Sequence, residues 1–275
     1  GVGISFAGKQ KTVEDYFLAG RNMPWAVVGI SMFVSVLSAV SYVGIPGVAY
    51  EDNIALLVEV FLTPIMVPFL IFIFYPFYRI LNVTTSYEYV LQRFGKSARF
   101  TVSALFVLGR GGWLGAVIYA PAMVLSTITD LPIWLLIILM GVLATTYTTL
   151  GGLSAVLWTD AVQFLILFGG AVWVAFTLTT SVPGGLVSIW EIAKAANHVR
   201  VIDWKINLAE MTGIAVLLSY FLQLVYDYGA DQITVQRVLA VRTSGGMVRA
   251  TIFMAIAQSL TLTLLLYVGL GLFAY

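Results

Sequence analysis

Seven stretches of this sequence are mostly apolar for about 20 residues or more, the length an α-helix needs to cross the hydrocarbon core of a bilayer. They run near 24–50, 54–80, 100–128, 131–150, 154–181, 209–241 and 247–274. Such a chain has few folding options. In lipid the backbone must satisfy its own polar groups, which only helices and closed barrels do. The expectation is an all-α, polytopic membrane bundle of about seven spans, forming a single transmembrane domain over 1–275. Composition agrees: 10% of the residues are charged and 60% hydrophobic, against about 25% charged in a soluble domain.

The same composition excludes several functions. Cysteine is absent and His198 is the single histidine, so thiol catalysis, disulfides and cysteine or multi-histidine metal sites are ruled out. A net charge of +1 gives no basis for nucleic-acid binding. No nucleophile–base pair can be placed, so the chain is not expected to be an enzyme. Residues 1–12 lack the charged-then-apolar order of a signal peptide. Gly1 to Gly8 read as the last turns of an earlier helix, and Tyr275 ends in apolar sequence. Both ends suggest a piece of a longer protein.

Basic residues in short loops set the direction of insertion. With residues 9–21 inside, Lys9, Lys11 and Arg21 are cytoplasmic, as are Arg79, Arg93, Lys96, Arg99, Arg242 and Arg249, with Arg237 nearby. Lys194, Arg200 and Lys205 fall outside, in the loop 182–208. A surface helix from Ser188 to Val199 is expected there, mixing Trp190, Ile192 and Ala196 with Glu191 and Lys194 in the manner of an interfacial segment.

Charges within spans are costly, so they face a cavity, a partner or a substrate path. Glu59, Arg110, Asp160, Asp227 and Asp231 are the five. The first span also contains Ser35-Val-Leu-Ser-Ala-Val-Ser-Tyr-Val-Gly-Ile-Pro-Gly47. Gly44, Pro46 and Gly47 disfavour a continuous helix. A break there frees carbonyls, and Ser35, Ser38 and Ser41 add hydroxyl oxygens. A bound cation is one partner for them; a kink packed on a neighbouring helix is the other reading. The sixth span repeats the interruption at Tyr226-Asp-Tyr-Gly-Ala-Asp-Gln232. Paired interruptions in corresponding helices point to a transporter binding site. The expectation is that the stretches around Gly44 and Gly229 unwind and meet in mid-bilayer.

Residues 151–163, Gly-Gly-Leu-Ser-Ala-Val-Leu-Trp-Thr-Asp-Ala-Val-Gln, closely resemble the signature of the sodium:solute symporter family. Asp15-Tyr-Phe-Leu-Ala-Gly-Arg-Asn-Met-Pro-Trp25 resembles that family's approach to its first core helix, and Asp231-Gln-Ile-Thr-Val-Gln-Arg237 its sixth-helix segment. Tyr119-Ala-Pro-Ala122 is a weaker match. The resemblance implies a LeuT-type fold of two inverted five-helix repeats: 24–181 as the first repeat, 182–208 as the outside loop and 209–275 as the first two helices of the second. It implies sodium as coupling ion, a small-molecule solute, the cell membrane as location and import by alternating access. The family's eighth core helix, which brings further sodium ligands, is absent from these residues, so they are not expected to transport alone. Some relatives join the fold to signalling domains, and a sensor that binds without transport is the alternative.

Residue by residue, the resemblance places sodium at the carbonyls of Val34 and Leu37. Asp160 is the signature aspartate, serving a second sodium site or exit path, or else holding the cytoplasmic gate. It places solute against Val36, Ser38, Ser41 and Thr63, with Arg110 as partner for a carboxylate and Asp227 where sugar carriers have a gating aromatic. Glu59, Asp231 and Gln232 remain as gating or structural polar groups. An ungapped count puts the family's third-helix arginine nearer Trp113, and pairing of Arg110 with Glu59, or snorkelling, are its other readings. Sugar carriers have an acid and an amide at the positions of Val40 and Ser41, and an amide at that of Leu224. This chain lacks all three, so the expected solute is a carboxylate or sialic-acid-like anion.

Overall fold

A computed structural model describes residues 10–81, 83, 85–202 and 213–275. The expected helix turns at 1–8, Lys9, Lys205 and the start of the sixth span lie outside the described residues. Those described form helices joined by short turns, with one isolated bridge between Met23 and Val241. The chain is a multi-pass membrane protein, and each expected span is present with its own local reason for starting and bending.

A short helix α1 (Val13–Leu18) precedes the first span and opens on a capping box. Thr12 Oγ1 accepts from the Asp15 amide, and the Asp15 carboxylate accepts from the Thr12 amide. The Thr12 side chain and the backbone amides of Lys11 and Thr12, bonded to its carboxylate, hold the Asp15 carboxyl below its ordinary pKa. The first span is two helices, α2 (Trp25–Val34) and α3 (Ala39–Glu51), parted at residues 35–38. Gly44, Pro46 and Gly47 lie inside wound α3, so the break is earlier than the sequence pattern suggests. The reason is capping. Ser38 is extended (φ −108°, ψ 171°) and its hydroxyl accepts the Ser41 amide, while Ser41 Oγ accepts the Ser38 amide. That reciprocal pair starts a new helix. Pro46 is tolerated, as prolines in membrane helices are when neighbours compensate. Ser38→Ala removes the cap and is expected to cost about 1 kcal/mol, read as a lower unfolding midpoint in detergent. Ser38→Asp, which can still cap, is expected to restore most of that loss.

The second span is one run, α4 (Val58–Phe69) and α5 (Tyr75–Ile80), joined through a π turn at Leu70–Phe74. Pro76 has no N–H to give the carbonyl four residues back, and the Tyr75 amide just before it closes the wider turn on Leu70, five residues back. Helix α6 (Ser86–Thr129) bends at Gly95, where φ is 86°. Helix α7 (Ile133–Ser181) bends at Gly152, where φ is 57°, which splits it into the expected fourth and fifth spans. A side chain at Gly152 is excluded twice: by the left-handed φ, and by the Tyr16 carbonyl, 2.8 Å from where a Cβ would stand. Helix α1 lies across this elbow, with Tyr16 donating to Thr149 at 3.1 Å and Gln10 to Gly151 at 2.6 Å.

The expected surface helix is present as α8 (Gly185–Ala195), shifted toward the N-terminus of the expected range. It buries Ile189 and Ala193 and exposes Trp190 and Ile192, as an interfacial helix does. The sixth span is α9 (Gly213–Val225), a π turn at Tyr226–Ala230, and α10 (Gln232–Leu239). The last is α11 (Ser244–Ala274). Helix α11 packs on both halves of the first span. Gly29 of α2 faces the Ala250 carbonyl of α11, and Gly269 of α11 faces the Pro46 carbonyl and Ala49 of α3. Small residues of this kind let membrane helices approach closely.

Candidate functional site

The break in the first span leaves backbone groups to account for. The Ser35 amide bonds Ser31, and the amides of Val36 and Leu37 both bond Phe33, at 3.0 and 3.1 Å. Among the described residues no hydrogen bond reaches the carbonyls of Val34 or Leu37. Ser35 Oγ turns back to Met32 at 2.7 Å.

In the sixth span the helix does not unwind at Gly229. It widens into a π turn closed by the Asp231 amide on Tyr226 at 2.9 Å, and opens only at Asp231 (φ −66°, ψ 126°). Asp231 then caps α10 through the Ile233 amide. Two contacts seat the π turn: Tyr75 donates to the Tyr228 carbonyl at 2.9 Å, and the Phe74 ring lies 3.1 Å from where Gly229 would carry a Cβ.

The two interruptions line one cavity of about 650 Å³. The first span supplies Ser35, Val36, Leu37, Val40 and Ser41; the sixth supplies Tyr226, Asp227, Tyr228 and Asp231. Glu59 enters from α4, and Arg110 and Trp113 from α6. The structure thus brings together Val36, Leu37, Ser41, Glu59, Arg110, Asp227 and Asp231 from the expected residues. Val34 is buried beside the break, and Ser38 caps α3 next to it. Thr63 is fully buried, bonds the Glu59 carbonyl at 2.7 Å and stays off the cavity wall. Arg110 pairs with Asp231, where the sequence suggests Glu59 as its structural partner. Gln232 accepts from the Ser86 amide and hydroxyl at 2.8 Å, tying α10 to the start of α6.

Asp160 lies apart, in a second polar cluster. Its carboxylate accepts from the Ser31 hydroxyl and from Arg237 at 3.2 Å, and Arg237 Nε donates to Ser31 Oγ at 2.8 Å. Arg237, grouped with the inside loop by its sequence position, is 9% exposed. The cluster ties α2, α7 and α10 together.

Sequence reasoning misses three contributors. Ser31 has no pattern that marks it. Tyr228 looks like part of an unwound stretch. Gln258 is an amide within the apolar seventh span, a signal of the same kind as the five charges. Gln258 and Tyr228 line the cavity, and Gln258 Oε1 and the Tyr228 hydroxyl have no hydrogen-bond partner among the described residues.

Known proteins resemble this chain in sequence and fold. The family model of the sodium:solute symporter family matches residues 16–275. The sodium/sialic acid symporter SiaT of Proteus mirabilis (strain HI4320) is 28% identical over 275 residues, all of this chain and 55% of the relative. The sodium/sialic acid symporter NanT of Aliivibrio fischeri is 30% identical, again over the whole chain and 54% of its own length. The human sodium-coupled monocarboxylate transporter 2 is 27% identical over 45% of its length. A solved sodium-coupled sialic acid symporter, in a substrate-bound outward-open state with a novel sodium site, superposes with a TM-score of 0.95. Identity to it is 28%, over all of this chain and 58% of that one. The chain spans about half the length of the curated relatives it matches.

Proposed function

This chain belongs to the sodium:solute symporter family, and from that membership we propose that it is the first part of a sodium-coupled symporter importing a small organic carboxylate by alternating access. The observation that carries the reading is the single cavity walled by both interrupted helices. Interruptions of this kind form substrate and ion sites in inverted-repeat transporters. The unpartnered carbonyls of Val34 and Leu37 are the proposed first sodium ligands, since a hard cation prefers such oxygens. Val36, Ser38 and Ser41 are proposed on the solute side. The buried pairing of Asp160 with Arg237 supports Asp160 as the acid of an inner gate that meets sodium on its way out. By the same reading, 24–181 is the first five-helix repeat, 182–208 the outside loop and 209–275 the start of the second repeat. The relatives named above are transporters, which favours a carrier over a sensor.

Coupling to sodium has a definite yield. One charge moving through 100 mV supplies about 2.3 kcal/mol, or roughly fifty-fold accumulation at about 1.4 kcal/mol per tenfold ratio. In sealed vesicles containing the intact protein, an inward sodium gradient is expected to drive solute above its outside concentration. Accumulation indifferent to the gradient would refute the reading.

A further inference from the structure

Among the described residues the cavity wall carries three acids, Glu59, Asp227 and Asp231, and one base, Arg110. Arg110 is bonded to Asp231. Asp227 lies within its field, but no ion pair forms there, and Glu59 has no ion-pair partner among the described residues. The wall therefore holds a formal excess of two negative charges, and Glu59 and Asp227 face the same cavity with no counter-charge bonded to either among the described residues. Charges within membrane spans left without a counter-charge are costly. Beside them, Gln258 is 6% exposed with no partner for its Oε1, and Tyr228 is fully buried with none for its hydroxyl, among the described residues. Carboxylates and an amide oxygen only accept hydrogen bonds. What this end of the cavity lacks is a donor that is also a cation.

We propose that the solute carries an ammonium group, seated between Glu59 and Asp227 with Gln258 Oε1 as a further acceptor, so that the transported compound is a small zwitterion and not a simple anion. The inference rests on the carrier reading above and narrows its substrate class. A purely anionic solute would add to the negative excess, with the cavity's one guanidinium already engaged by Asp231. An ammonium group offsets one of these two charges where it is seated and forms charge-assisted bonds to both acids. The ring of Tyr220 on the same wall suits a methylated ammonium as well, through its π face.

The test uses the intact protein in detergent and matched pairs of small acids that differ in an N–H-bearing ammonium group: γ-aminobutyrate against butyrate, and alanine against propionate. Binding is read from thermal stabilisation in sodium and in potassium. The ammonium member of at least one pair is expected to bind about tenfold or more tightly than its partner, the scale of a hydrogen bond to a charged group. Glu59→Gln and Asp227→Asn are expected to erase that preference. Equal or tighter binding of the simple acids, or no binding by any ammonium member, overturns the proposal. So does a result in which these variants lose the sodium response while the preference persists, because the acids would then serve the metal ion. An ammonium preference that is as strong in potassium as in sodium supports the proposal and instead removes the coupling on which the carrier reading depends.

Discussion

Arg237→Ala is expected to destabilise the protein by about 3–5 kcal/mol, the usual cost of stripping one partner from a buried ion pair. Asp160 would then be a carboxylate at 9% exposure with only the Ser31 hydroxyl for company. The loss exceeds one contact because Arg237 serves three groups: Asp160, Ser31 and, at 3.1 Å, the Ile233 carbonyl. Arg237→Lys keeps the charge but not the fork, and is expected to recover only part of the loss. Chemical unfolding in detergent measures both variants, and a double-mutant cycle with Asp160→Asn separates the pair energy from the rest. Asp160→Asn alone is expected to weaken the sodium dependence of uptake more than it changes solute selectivity. A selectivity change with an intact sodium response would reverse that assignment.

The second large effect lies where the last helix meets the first span. Gly269→Val is expected to cost about 1–3 kcal/mol, as overpacking does. A Cβ at 269 would collide with the Pro46 carbonyl and with Ala49, whose positions are fixed by the α3 helix itself. Gly44→Ala is the informative contrast. Gly44 sits in wound helix with nothing within 4 Å of where an alanine methyl would stand, so alanine is expected to stabilise by about 0.5–1 kcal/mol through backbone entropy. A strongly destabilised Gly44→Ala would mean that the helix is open at Gly44 after all. Thermal midpoints of the two variants decide the matter.

Much of this architecture can be read from hydropathy, because the bilayer enforces span length. The short gap around Gly152, between the fourth and fifth spans, is where the chain bends. The interrupted helices are also legible, but not where each one opens. At 44–47 the pattern offers Gly and Pro, the breakers of soluble helices, although membrane helices absorb them. The decisive signal is the serine pair at 38 and 41, which the sequence presents as ligand oxygens and the fold uses as a cap. Pairings between distant charges are not legible at all. Arg110 and Asp231 are 121 residues apart, and Asp160 and Arg237 are 77 apart. Nothing local in the sequence chooses Asp231 over Glu59 as the arginine's partner; only the three-dimensional fold, which brings Arg110 of α6 to Asp231, does.

The gap between Val34 and Ala39 also creates a small electric field. Helix α2 ends there with its carbonyl pole, about half a negative charge, and α3 begins with its amide pole, about half a positive one. The same short gap is therefore hospitable to a cation on one side and to an anion on the other. The matching amide pole, that of α10, is already occupied by the carboxylate of Asp231. Of the two interrupted spans, the first alone keeps both of its poles unclaimed by a charged side chain among the described residues, which makes that gap the natural place for two oppositely charged guests to sit side by side.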